Sequence, residues 1–152
     1  MRLLDVHTDG RGKSLTWRLL NERPFEANIS HQSAVSYAEH ERFFDSRPYQ
    51  YWFLIEEEID GQDLAVGAVY LTKQNEIGIA ILKDYQRRGY GRLALQLFIE
   101  IWNPLPGIPS IRSGSFVANI APGNEISTQL FEGLGFRHVQ NTYRLEAKKG
   151  ER

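Results

Sequence analysis

Glu76-Ile-Gly-Ile-Ala-Ile-Leu-Lys-Asp-Tyr-Gln-Arg-Arg-Gly-Tyr-Gly-Arg-Leu-Ala-Leu-Gln-Leu-Phe-Ile-Glu100 is the stretch that decides the fold. It reads as a strand, a short turn, a loop with two glycines and an apolar helix. Side chains alternate along a strand, so Glu76, Gly78 and Ala80 share one face, and Ile77, Ile79 and Ile81 share the other. Over Tyr90 to Trp102, Ala94, Leu97, Phe98 and Ile101 recur at the spacing of one helix face. The loop Gln86-Arg87-Arg88-Gly89-Tyr90-Gly91 falls where that helix begins. A helix N-terminus carries unsatisfied N–H donors and partial positive charge, so it attracts phosphate. Gly89 and Gly91 remove side chains that would keep a ligand off the backbone. Arg87, Arg88 and Arg92 add charge-assisted donors suited to phosphate. A plain glycine-containing strand-to-helix turn with solvated arginines is the alternative.

Working outward, the aromatic and β-branched run Tyr51 to Ile59 predicts a strand. Asp60-Gly61 is a hairpin turn signal. Leu64 to Thr72 is its partner, with Gly67 at a bend or bulge, and Asn75 turns the chain into Glu76 to Leu82. Three strands joined this tightly form an antiparallel meander. Before it, Leu3 to Val6 predicts a strand. Ser14 to Leu20 predicts a helix capped by Ser14 and broken by Pro24, and Ser33 to Ser46 a second helix ended by Pro48. After the glycine loop, Asn103 to Ser110 is an irregular crossover and Ile111 to Ala118 a strand. Asn124 caps a helix to Leu134, with Ile126, Leu130 and Leu134 on its apolar face. Gly135 is its C′ residue. Phe136 to Val139 and Thr142 to Leu145 predict two closing strands, and residues 148–152 a frayed tail. No repeat or low-complexity tract interrupts this order, and residues 1–147 read as one domain.

With 152 residues the chain is long enough for one domain with a real core. The net charge of -1 lacks the basic excess of a nucleic-acid binder. There is no cysteine, which excludes disulfides, thiolate metal sites and a cysteine nucleophile. No apolar run approaches the ~18 residues of a membrane span, and the N-terminus is too polar for a signal peptide. The expectation is a cytoplasmic protein with no membrane or nucleic-acid partner and no metal. The chain lacks a Gly-Lys-Ser/Thr loop and a Rossmann pattern on its first strand, which argues against other nucleotide sites.

The element order, with a glycine loop after the fourth strand, resembles the GCN5-related N-acetyltransferase (GNAT) family. Its signature Gln/Arg-x-x-Gly-x-Gly/Ala is matched by Gln86-Arg87-Arg88-Gly89-Tyr90-Gly91. A second similarity is Asn124-Glu-Ile-Ser127-Thr-Gln-Leu130-Phe131, followed by Leu134-Gly135-Phe136, against the family's Asn-x-x-Ser-x-x-Leu-Tyr and Gly-Phe. The resemblance spans residues 3–146 and is strongest over 76–136. It implies an α+β fold: a mixed, mostly antiparallel sheet of six to seven strands, splayed between the fourth and fifth, with helices on both faces. Trp17-Arg18, Asn21-Glu22-Arg23-Pro24, Ile29-Ser30-His31 and His40-Glu41-Arg42-Phe43-Phe44 look similar to branches that acetylate amines of nucleotide-sugars or protein N-termini.

The resemblance implies acetyl-CoA as co-substrate and direct attack by a small-molecule or peptide amine, and it is compatible with a homodimer. Gln86, Arg87, Arg88, Gly89, Tyr90, Gly91 and Arg92 would hold the CoA pyrophosphate. Ile79, Ala80 and Ile81 would face the pantetheine arm, with Gly78 easing a bulge, and a backbone N–H there would stabilise charge on the carbonyl oxygen. Asn124 would cap its helix and touch the CoA arm. Glu76 is the candidate base, because an alkylammonium of pKa ~10 must lose a proton before it attacks; His31 and His40 are alternatives. Phe131 stands where the family places a tyrosine acid, so Tyr143 or Tyr85 is the candidate proton donor. Tyr49, Tyr51, Trp52, Trp17 and Tyr143 are candidates for the acceptor wall, and Glu56-Glu57-Glu58 is either a steering patch or a solvated edge. A non-catalytic acyl-CoA sensor is the competing reading, favoured by Phe131.

Overall fold

The computed structural model describes residues 1–22 and 35–148. Chain order gives β1 (Arg2–Asp5), α1 (Gly12–Glu22), α2 (Tyr37–Asp45), β2 (Tyr51–Ile59), β3 (Gln62–Leu71), β4 (Ile77–Ile81), α3 (Tyr90–Ile101) and α4 (Glu125–Gly133). The four strands form one antiparallel sheet in the order β1-β2-β3-β4. Asp60 and Gly61 both have positive φ and connect the paired residues Ile59 and Gln62, which is the two-residue hairpin expected of Asp-Gly. The β2–β3 register shifts between Ile55 and Glu56, so Val66 is an extra residue on β3 beside the expected Gly67.

Helices cover both faces, as the family resemblance implied. On one face α1 and α2 bury Leu15, Leu19 and Phe44 against Val6, Trp52, Leu54 and Ala68. On the other, α3 and α4 bury Ala94, Leu95, Phe98 and Phe131 against Phe53, Ile55, Val69, Leu71 and Ile77. The sheet's period of two therefore sorts one strand onto two cores: Ile77, Ile79 and Ile81 lie toward α3, Ala80 toward α1.

Some boundaries move. α1 begins at Gly12, and Ser14 lies inside it, its hydroxyl donating to the Arg11 carbonyl. α2 begins at Tyr37 and is capped by Ser36, whose Oγ accepts from the Glu39 N–H at 3.1 Å. The expected start at Ser33 lies outside the described residues, as does Pro24.

The larger correction concerns strand number. The described residues hold four strands, where six to seven were expected. Residues 111–118 form no strand; Val117 makes a single parallel bridge to Glu76. Phe116, Ala118 and Ile120 still alternate onto the α3 core, so the segment is extended but not laddered. Residues 136–148 also form no strand, and Val139, Tyr143 and Leu145 are exposed. Strand composition there reports a side-chain preference for a half-buried pleat, and no neighbouring backbone supplies the ladder.

Candidate functional site

The open edge of β4 is the centre of the site. Ile77 donates its N–H outward to the Val117 carbonyl at 2.8 Å, and Leu82 donates inward to Val66 at 2.9 Å. Backbone groups alternate along an antiparallel strand, so the N–H groups of Ile79 and Ile81 point outward and those of Gly78 and Ala80 toward β3. Past the Val117 bridge no strand pairs with this edge among the described residues. The sheet is thus splayed beside β4, leaving the Ile79 N–H and carbonyl without a ladder partner. Of the three residues expected at the arm, Ile79 and Ile81 can donate to it; the Ala80 N–H faces the other way. The β3–β4 register runs unbroken from Gly67↔Ile81 to Leu71↔Ile77, so the bulge expected at Gly78 is absent. Gly78 serves a different need: a Cβ there would overlap the ring tip and hydroxyl of Tyr70 on β3.

The edge leads through a 3₁₀ turn, Lys83–Tyr85, into the glycine loop. Gly89 caps α3 at φ +81°, a left-handed conformation that other residues adopt only with strain. The first turn of α3 has no acidic residue and no side-chain cap, so its N–H groups remain available to an anion. The loop is built from both sides. Gln86 Nε2 donates to the Ile81 carbonyl at 2.9 Å, Arg88 to the Asp84 carbonyl at 3.1 Å and Arg92 to the Gly133 carbonyl at 3.2 Å. Arg88 also stands over the Tyr85 ring, 5.7 Å from its centre. Gln86, Arg87, Arg88 and Gly89 are exposed, and Tyr90 and Gly91 are half-buried. These residues fit a pyrophosphate: uncapped donors at a helix start, with three guanidinium groups beside them.

At the other end of β4 a cavity is lined by Tyr70, Glu76, Gly78, Ile79, Asn124 and Phe131, among others. Glu76 spends its backbone on structure: its N–H donates to Thr72 Oγ1 at 3.0 Å and its carbonyl accepts from the Thr72 N–H at 2.8 Å. Its side chain faces the cavity. Asn124 caps α4, its Oδ1 accepting from the Ser127 N–H at 3.2 Å, and it borders the cavity. Phe131 is buried and packs edge-on against Phe136 at 5.1 Å.

Other expected site residues lie elsewhere. Tyr143 is 90% exposed and does not line the cavity, so the structure does not bring this expected acid to Glu76. Tyr85 packs between the two cores under the donor loop. His40 is buried among Trp17 and Phe44, with Nε2 2.9 Å from Thr16 Oγ1; burial holds its pKa below the usual histidine value. His31 lies outside the described residues. Tyr51 stacks with Phe53 and packs at a tilt against Trp102 on the α3 face, whereas Tyr49, Trp52 and Trp17 lie on the α1–α2 face. Glu56 is neither steering group nor solvated edge: it is buried and bound by Arg2 and Arg11. A larger hollow of about 310 Å³ near His7 and Arg47 is separate from the cleft, and its Lys13 and Asp45 pair with each other at 3.0 Å.

Tyr70, like Asn119, Ile120 and Ala121, lines the cavity and was missed by motif reading. Counting back from the Asn75 turn pairs Tyr70 with Gly78 across the strands. A bulky ring opposite a glycine was the available signal.

Among the described residues no helix is long and apolar enough to cross a membrane, and no group of acidic, histidine or cysteine side chains is arranged to hold a metal ion. A domain from Methanocaldococcus jannaschii has a similar fold, with TM-score 0.69 and 21% identity, over 93% of this chain and 89% of that one. YncA of Salmonella typhimurium, a putative acetyltransferase solved with its cofactor acetyl-CoA, gives TM-score 0.63 at 18% identity, over 99% and 86% of the two chains. A putative GnaT-family acetyltransferase from Bordetella pertussis gives 0.64 at 19%, over 93% and 88%. Curated protein sequences give no match. The sequence model of the acetyltransferase (GNAT) domain matches residues 13–137, from α1 through the glycine loop to the end of α4. That span holds the meander, the splayed edge and the capped start of α3, and it establishes that the chain belongs to the GNAT acetyltransferase family, whose co-substrate is acetyl-CoA.

Proposed function

We propose that the protein is an acetyl-CoA-dependent N-acetyltransferase acting on a primary amine by direct attack. The observation that carries this is the unladdered edge of β4. Of its two outward N–H groups, that of Ile79 lies between Ile81, which leads toward the uncapped start of α3, and Glu76. When bound, acetyl-CoA supplies an acetyl group activated as a thioester. The first-turn N–H groups at Tyr90, Gly91 and Arg92, with Arg87 and Arg88 beside them, hold the pyrophosphate. Ile79 donates to the carbonyl oxygen as negative charge develops there, an interaction worth ~3 kcal/mol per donor. Glu76 takes the proton from the incoming ammonium, directly or through water. Asn124 orients the arm through its NH₂ group. The acceptor is a sugar-nucleotide amine or a peptide N-terminus, both of which present an amine at the end of a larger polar body.

The sensor reading keeps one supporting observation, the apolar Phe131 in the cavity wall. A screen separates the two: the protein, acetyl-CoA and a panel of aminosugar nucleotides, polyamines and peptides, followed by mass spectrometry. Release of CoA matched mole for mole by acetylated amine is the expected result. Binding of acetyl-CoA with no turnover of any amine would select the sensor.

A further inference from the structure

Transfer to an amine leaves a thiolate, and the wall residue Phe131 has no proton to give it. Among the described residues the lining of the cavity holds few alternatives. Asn119 and Asn124 have amide groups that do not act as acids, and Ser127 carries an alkyl hydroxyl of far lower acidity than a phenol. Glu76 is engaged as the base. Tyr70 remains among the described lining residues; a phenol of reference pKa ~10 and a thiol of ~8.5 differ by a gap a proton crosses easily.

Its placement is fixed by packing on both sides. The ring lies flat on Tyr49, with centroids 4.3 Å apart and planes 10° apart, and Tyr49 is held edge-on by Trp52 at 4.8 Å and Phe43 at 5.6 Å. Opposite, the ring tip and hydroxyl cross the bare Cα of Gly78, one residue before Ile79. The phenol thus reaches the cavity from β3 and borders it together with Phe131.

We infer that Tyr70 is the proton donor to the leaving sulfur, a role taken up from β3 because α4 carries Phe131. The inference rests on the transferase reading above. As the amine nitrogen bonds to the acetyl carbon, the carbon–sulfur bond breaks and its electron pair stays on sulfur. Sulfur takes the Tyr70 hydroxyl proton, and the phenolate regains one from solvent. The acylated nitrogen releases its surplus proton to solvent, so that, counted from the neutral amine, nitrogen loses one proton and sulfur gains one.

The test begins without turnover. A hydroxyl donating to the sulfur stabilises its thiolate, so the thiol of bound CoA ionises at lower pH in the wild type than in Tyr70→Phe. The thiolate's ultraviolet absorbance reads this directly. Glu76, the other titratable lining residue among those described, acts equally in both proteins, so the difference isolates Tyr70. Phenylalanine keeps the stack on Tyr49 and the fit over Gly78, and an unchanged circular-dichroism melt verifies the fold of the variant. The second readout is kinetic: kcat falls ~10²-fold in Tyr70→Phe with KM for acetyl-CoA unchanged. Identical thiol titrations, or an unchanged kcat, overturn the role while leaving the transferase reading intact. Failure of the wild type to bind CoA at all overturns both.

Discussion

Glu76 is the base in the proposed reaction, and little of it is free. Its main chain is fixed by Thr72 on both sides, and its carboxylate has no ion-pair partner among the described residues. If it removes the amine's proton, its value depends on how protonated the amine is in solution. Near neutrality an alkylamine of pKa ~10 is almost wholly ammonium, whereas near that pKa much of it is already free. Glu76→Gln is therefore expected to cut kcat/KM strongly at pH ~7 and much less at pH ~10. Pre-steady or steady-state rates across that range check it, and a loss independent of pH would place the base elsewhere. Gly89 is argued from backbone instead. At φ +81° a side chain meets no atom within 4 Å, so the cost of replacement is strain of ~1–2 kcal/mol, not collision. Gly89→Asp adds a carboxylate at the site proposed for the pyrophosphate; acetyl-CoA affinity by calorimetry should fall at least ~10-fold beyond the loss in Gly89→Ala. Equal losses in the two variants would mean that only conformation matters there.

The elements divide by whether their partners are close in sequence. β2 was legible to the residue, Tyr51 to Ile59, because its aromatic alternation, the Asp60-Gly61 turn and the returning strand all lie within one hairpin. α3 and α4 were legible because a cap and a 3.6 period are local. The stretch 111–118 has the same β-forming composition, yet it makes only isolated bridges, Arg112 to Ile108 and Val117 to Glu76. Whether a strand forms there depends on whether the β4 edge follows it, and that is settled far away in the chain. Asn75 does much of the settling. It is wholly buried at φ +66°, donates to the Leu105 and Ser113 carbonyls at 2.8 and 2.7 Å, and accepts from the Leu105 N–H at 2.7 Å. Its carbonyl accepts from Val117 at 2.9 Å. Read from sequence, it was only a turn residue; its side chain in fact ties the crossover to the sheet. Asn75→Ala strands those buried backbone groups and puts alanine in a left-handed site, costing ~3 kcal/mol. Urea unfolding measures the cost, and the Ile77 amide, which is bonded to Val117, should exchange faster with solvent than its neighbours in β3. A loss under ~1 kcal/mol would show that water replaces the amide.

At the scale of the molecule the near-neutral total charge hides an organised arrangement. Arg11 donates to Asp9 at 2.8 Å and to Glu56 at 2.6 Å, and Arg2 donates to Glu56 from β1. The network joins the first strand, the start of α1 and the middle of β2 around a carboxylate that is 4% exposed. Arg11 first, then Arg2, holds Glu56 below the usual carboxylate range, and the Arg11 hydrogen bonds bring Asp9 to about 2. Both shifts are downward, so the unfolded chain binds more protons than the fold in the window between ordinary carboxylate values, ~4, and these lower ones. Stability is fully present above that window and is lost as pH falls through it. His7 and His40 add a separate, earlier step. Burial lowers both, so folding must compete with histidine protonation as pH falls below ~6.5. Two descending steps are thus expected in unfolding free energy against pH, and Arg11→Met tells them apart. Removing the guanidinium lowers stability at neutral pH, because Glu56 keeps its charge with one partner fewer. It also flattens the acid step, because Asp9 and Glu56 return toward ordinary values. The histidine step is untouched, since neither imidazole touches Arg11. Denaturant titrations at pH 7, 5 and 3 resolve the three effects; an acid step as steep in the variant as in the wild type would mean that other carboxylates carry it.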